Sequence, residues 1–236
     1  MNEVFSHLNS PNNEVVESAL GILADINLIT AHKEEYAANI GHIEAYLSRP
    51  EFMYSAALIL TNMLGETPEI SQKLNISLTL ETCLPVLADR NSKNKVISIL
   101  SVFMSNLTTS ESTAETFLSH LQSSNVRLDE IIKIIDNFLD HDVRSEGAVM
   151  PLKEEEKEEE LKAEDLSHSD AFQHIGSLLC NISVLESGRR IISNQSYGFL
   201  PKIIKQVKND GLLFTLKCKI RLSNYTIFIF RFIHRI

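Results

Sequence analysis

The side chains with most chemical scope in this 236-residue sequence are asparagines that recur in one frame. The frame is a four-residue string, apolar, small, Asp or Asn, apolar. It occurs at Leu23-Ala24-Asp25-Ile26, Leu60-Thr61-Asn62-Met63, Met104-Ser105-Asn106-Leu107, Leu179-Cys180-Asn181-Ile182 and, less regularly, Leu222-Ser223-Asn224-Tyr225. An amide supplies both a donor and an acceptor, so a row of them can hold a partner's main chain without reading its side chains. Asn62, Asn106 and Asn181 are therefore the candidate partner-binding residues. The competing expectation is structural: each Asn caps its own helix or bonds to the next turn, as short polar side chains readily do. That reading is favoured because the string lacks flanking basic or aromatic residues. Asp25 fills the slot with a carboxylate, which only accepts, so it cannot repeat what an amide does. Five Asn-x-Ser/Thr matches occur in the chain, Asn106 and Asn181 among them; without a secretory leader these are chance matches to a glycosylation signal.

Other chemistry is sparse. The sequence has no GxxxxGK[ST] loop, GxGxxG turn, HExxH pair or GxSxG elbow, so no enzyme and no cofactor is expected. Asp140-His141-Asp142, with His168 downstream, carries the ligand types of a metal site, but the simpler expectation is a helix end entering a solvated linker. Cys180 occupies the slot held by Ala24, Thr61, Ser105 and Ser223 in the other strings, which points to close helix packing and not to a nucleophile. An enzyme with an atypical helical site would need a deep polar pocket.

Composition narrows the class. With 44% hydrophobic and 22% charged residues, the chain has material for one medium-sized core. Gly 8 and Pro 6 are too few for a turn-rich all-β fold. The net charge of −9 and the lack of a basic cluster in the first 210 residues argue against nucleic acid as a partner. Cys83, Cys180 and Cys218 are scattered and odd in number, which suits neither a disulfide framework nor a zinc site and fits a reducing, cytoplasmic setting. No basic-then-apolar leader opens the sequence, and no segment approaches the roughly 18 uncharged apolar residues of a membrane span, so no membrane partner is expected.

The elements that would carry the asparagines read as short helices. Val15, Ala19, Ile22, Leu23 and Ile26, then Ala56, Ile59, Leu60, Met63 and Leu64, follow spacings of three and four. Breaks are expected at Asn9-Ser10-Pro11-Asn12, Ser48-Arg49-Pro50, Gly65-Glu66-Thr67-Pro68, Asn91-Ser92 and Ser187-Gly188. Successive polar residues of the string lie 37, 44, 75 and 43 residues apart. Three of these intervals sit near the roughly 40–47 residue period of two- or three-helix repeats. The long one contains the acidic stretch Lys153 to Asp165, and removing residues 140–169 restores the period. Leu84-Pro85 and Leu200-Pro201 each precede a repeated Asn at similar distance and read as helix starts, where proline's missing N–H costs nothing. Gly41-His42-Ile43 and Asn125-Val126-Arg127 open segments at comparable places.

The Leu-Pro starts and the Leu-x-Asn-Leu-like ends at Asn62, Asn106 and Asn181 resemble armadillo repeats. The run Asp170-Ala171-Phe172-Gln173-His174, continuing to Leu179-Cys180-Asn181-Ile182-Ser183, resembles a eukaryotic family of armadillo-like folding adaptors for translation elongation factor 2. Ser98 to Leu118 is similar to one of that family's early repeats. The resemblance implies a cytoplasmic chaperone adaptor that binds newly made elongation factor 2 and works with the ring chaperonin and the Hsp90 system. The rival is a generic armadillo or HEAT scaffold, resting on the repeats alone.

The expected architecture is an all-α, armadillo- or HEAT-like α-solenoid, a right-handed superhelix of short helices. Residues 1–139 and 170–210 would form repeats, and 140–169 an acidic insert too charged to bury itself. Residues 211–236 differ again, with five basic and no acidic residues and with Phe228, Phe230 and Phe232 at strand-like spacing. Such a terminus is expected of a shortened or alternative form of the family's chain.

Overall fold

The computed structural model describes residues 1–145, 172 and 174–203, and among these every regular element is helical. In chain order they are α1 (Asn2–His7), α2 (Asn13–Leu23), α3 (Ile26–Ala31), α4 (Lys33–Ala38), α5 (Ile40–Ala45), a 3₁₀ turn (Tyr46–Ser48) and α6 (Met53–Glu66). A second 3₁₀ turn (Pro68–Lys73) leads to α7 (Ile76–Ala88), α8 (Asn94–Leu107), α9 (Glu111–Gln122) and α10 (Asn125–Ser145). Beyond the acidic stretch come α11 (Ile175–Ser183), α12 (Glu186–Ser193), a 3₁₀ turn (Gln195–Tyr197) and a helical turn at 199–203. None of these helices is long and apolar enough to cross a membrane.

The helix starts follow from side chains that accept the orphan N–H groups of the first turn. Asn12 caps Glu14, Asp25 caps Asn27, Asn75 caps Leu78 and Ser110 caps Thr113. Packing then orders the helices into two rows. In one, α2 touches α6, α6 touches α8, and α8 touches α11. In the other, the Tyr46–Ser48 turn touches α7 and α7 touches α10. Lys202, in the helical turn at 199–203, extends this second row by pairing with Asp136 of α10. A continuous apolar core runs between the rows, with Tyr36, Phe103, Phe117 and Phe199 among its largest fully buried side chains.

Polar bonds tie neighbours inside that core. Glu44 of α5 is buried and accepts from Thr79 Oγ1 at 2.9 Å and from the Asn75 N–H at 3.2 Å, so its carboxylate fastens α5 to the start of α7. Tyr36 donates to the Leu23 carbonyl at 2.8 Å, and its ring meets Phe5 edge-on at 5.2 Å.

Two expected boundaries fall elsewhere. Leu84-Pro85 does not start a helix: Pro85 lies in the last turn of α7, whose start is set by Asn75. There the proline removes the hydrogen bond to the carbonyl four residues earlier and crowds it, and α7 ends three residues later at Ala88. Pro201, by contrast, does lie in the first turn of its helix at 199–203. Ser187-Gly188 is not a break but part of α12. Gly188 is required there by proximity, because a Cβ at that position would stand 2.0 Å from the Ile182 carbonyl oxygen. The expected breaks at residues 9–12, 48–50 and 91–92 do separate helices, and Gly41 and Asn125 open α5 and α10. Asp140, expected to begin the insert, is helical, as α10 continues to Ser145. Residues 146–169 and 204–236, with Asn224 and the aromatic terminus, lie outside the described residues.

Candidate functional site

The three repeated asparagines lie on successive members of one row, Asn62 on α6, Asn106 on α8 and Asn181 on α11, all half-buried. Two of them do the same thing. Asn62 Nδ2 donates to the Ala24 carbonyl at 3.0 Å, across 38 residues. Asn181 Nδ2 donates to the Ser105 carbonyl at 2.9 Å, across 76 residues, and to Thr108 Oγ1 at 3.3 Å. In both cases the acceptor is the residue just before the polar position of the preceding string, Ala24 before Asp25 and Ser105 before Asn106.

The physical reason is helix termination. Carbonyls in the last turn of a helix have no partner within it and carry the negative end of the helix dipole. Ala24 ends α2 and Ser105 lies in the last turn of α8, so each Asn caps the C-terminus of its neighbour and not of its own helix. The helix that carries the recurring residue is thus stapled by it to an earlier helix of the row. Asp25, lacking an N–H, does something else: its Oδ1 accepts from Asn27 N at 2.8 Å and starts α3.

Asn106 stands apart. Its side chain makes no hydrogen bond among the described residues, and the Thr61 carbonyl that would be its counterpart in register goes without it. The hydroxyl of Thr61 itself is buried without a partner among the described residues. Of the three candidates, then, only Asn106 has its whole amide unengaged among the described residues. Asn62 retains one N–H and its Oδ1, and Asn181, with both N–H groups engaged, retains its Oδ1.

A third asparagine that caps a neighbouring helix sits in the other row. Asn137 of α10 is buried; its Nδ2 donates to the carbonyl of Ala88, the last residue of α7, at 3.3 Å, and its Oδ1 accepts from Arg90 Nε at 2.6 Å. Its sequence context, Ile135-Asp136-Asn137-Phe138, matches the repeated string except for Asp in the small slot. That near-match is the signal by which it could have been found. Around it Arg90 pairs with Asp140, while Lys202 pairs with Asp136 and lies 3.6 Å from Asp140. The Asp136 carboxylate holds the Lys202 ammonium above its usual range.

Asp140 faces Arg90 and Lys202, and the described residues contain no group of three or more His, Cys, Asp or Glu able to hold a metal; His168 lies outside them. Cys180 is half-buried on α11 in the small slot of its string. Cys83 is fully buried in α7, and burial, with Glu44 nearby, pushes its thiol well up, away from the reactive thiolate. In the run from Asp170 to Ser183, Phe172, Ile175, Leu178 and Ile182 are all core residues. Comparison of the chain with family models, with curated proteins and with solved structures finds no match in any of the three.

Proposed function

We propose that this protein works by binding other proteins along a stack of short helical repeats, an armadillo-like α-solenoid, without catalysis or cofactor. The observation that carries the reading is the repeated staple: Asn62 to Ala24 and Asn181 to Ser105 make the same bond at the same place in the sequence string. A bond that recurs in register is what stacked copies of one unit would make, and stacked units cannot bury their apolar faces alone. Such stacks leave an extended surface on which a partner can lie.

For the partner, the resemblance at residues 170–183 supports newly made elongation factor 2, delivered to the ring chaperonin and the Hsp90 system in the cytoplasm. The generic scaffold reading shares the architecture and differs only in its client. The test is capture from a translating extract: immobilised full chain is exposed to freshly synthesised elongation factor 2 and to an unrelated nascent chain of similar size. Enrichment of the factor together with chaperonin subunits is expected. Equal recovery of both nascent chains, or of neither, rejects the adaptor reading.

A further inference from the structure

We propose that the notch between the α1–α2 turn and the end of α5 is a binding site for a small oxyanion, a phosphate or carboxylate group carried on a small molecule. The notch is open to solvent, has a volume of about 330 Å³ and is lined by Leu8, Asn9, Ser10, His42, Ala45, Tyr46 and Arg49. Its volume is at the low end of the roughly 300–1,000 Å³ of small-molecule sites.

Its chemistry is one-sided. Neither basic residue on the wall, Arg49 or His42, forms an ion pair among the described residues, and no Asp or Glu lines the notch, although the chain carries a net charge of −9. The uncharged groups add donors. Ser10 Oγ already accepts from the Asn12 N–H at 3.2 Å, which leaves its own proton to donate, and the Asn9 amide is exposed at the rim. Donors without a carboxylate among them suit a ligand that only accepts.

The floor is built. Tyr46 is only 8% exposed, its hydroxyl donates to the Leu8 carbonyl, and its ring meets Phe52 edge-on at 5.5 Å. The Arg49 guanidinium lies over that ring, 5.0 Å from its centre, and the Arg49 N–H is bonded to the Tyr46 carbonyl at 3.2 Å. An arginine held against an aromatic ring loses little further freedom when its planar fork meets two oxygens.

The test is titration of the isotope-labelled full chain with sodium phosphate and, separately, sodium acetate at constant ionic strength, read by amide chemical shifts. Saturable shifts at Asn9, Ser10, His42 and Arg49 are expected, weakened at least tenfold in Arg49→Ala and less in Arg49→Lys, which keeps the charge without the fork. Arg49 is exposed, so both variants should retain the wild-type spectrum elsewhere. Saturation with phosphate alone identifies a phosphate-bearing ligand, saturation with acetate alone a carboxylate, and saturation with both a site that takes either oxyanion. Linear shifts without saturation, or an unchanged response in Arg49→Ala, overturn the site.

Discussion

Removing the staple asparagines one at a time tests whether the recurring residue holds neighbouring helices of the row together. Asn181→Ala deletes the bonds to the Ser105 carbonyl at 2.9 Å and to Thr108 Oγ1 at 3.3 Å. A typical intramolecular hydrogen bond contributes about 1 kcal/mol net. The longer second bond adds less, so the loss is about 1–2 kcal/mol. Asn62→Ala deletes one bond of 3.0 Å and costs about 1 kcal/mol. Asn106→Ala deletes none and stays within about 0.5 kcal/mol, the usual range for a substitution that breaks no specific feature. Exchange to aspartate sharpens the contrast. Asn62→Asp sets a carboxylate against the Ala24 carbonyl, acceptor against acceptor at a helix C-terminus, and costs more than the alanine variant does. Urea unfolding provides the assay, read as a shift in midpoint at unchanged slope. The expected order of loss is Asn181, Asn62, Asn106. If Asn106→Ala destabilises as much as Asn181→Ala, or if Asn62→Asp is neutral, capping of the neighbouring helix is not what the repeated position does.

Glycine substitutions separate close approach from empty space. Gly188→Ala drives a Cβ to within 2.0 Å of the Ile182 carbonyl oxygen and should cost about 1–3 kcal/mol or more, whereas Gly65→Ala in α6 meets nothing within 4 Å and should gain up to about 1 kcal/mol; thermal unfolding of the pair checks both signs. Asn137→Ala should weaken the α7–α10 contact by roughly 1–3 kcal/mol, since it also leaves Arg90 without its 2.6 Å partner, again read by urea midpoint. The Tyr36 phenol, buried against Leu23 with Asp25 nearby, is pushed up to about 12 from an ordinary 10. Its raised folded value means the stabilisation is complete below pH 10 and lost as pH rises toward 12. Tyr36→Phe should therefore be less stable than wild type at pH 8 and lose that disadvantage by pH 12.

The helical class was legible in residues such as Ala56, Ile59, Leu60 and Met63, because a 3.6-residue period requires only that one face be apolar. The recurring polar position was legible for a related reason. Asn62 and Asn181 stand late in their helices behind a small residue, where a neighbour can come close, and that local demand leaves a local mark. What no local pattern specifies is the direction of a side chain's bond. Whether an asparagine caps its own helix or the next one depends on which carbonyl the packing brings within 3 Å, and here that carbonyl lies 38 or 76 residues away. Pro85 misled for the same reason, since its ring suits the first turn of a helix and here lies in the last, and Asn75 decided between them. Gly188 looked like a break because its lack of a side chain loosens a helix; the approach of the Ile182 carbonyl made that lack a packing requirement. The sequence by itself determined that the chain is built of short amphipathic helices marked by a recurring polar residue. Only the tertiary structure decided that two of those residues are spent on the preceding helix and one, Asn106, is not, because the geometry of a hydrogen bond is set by which backbones meet.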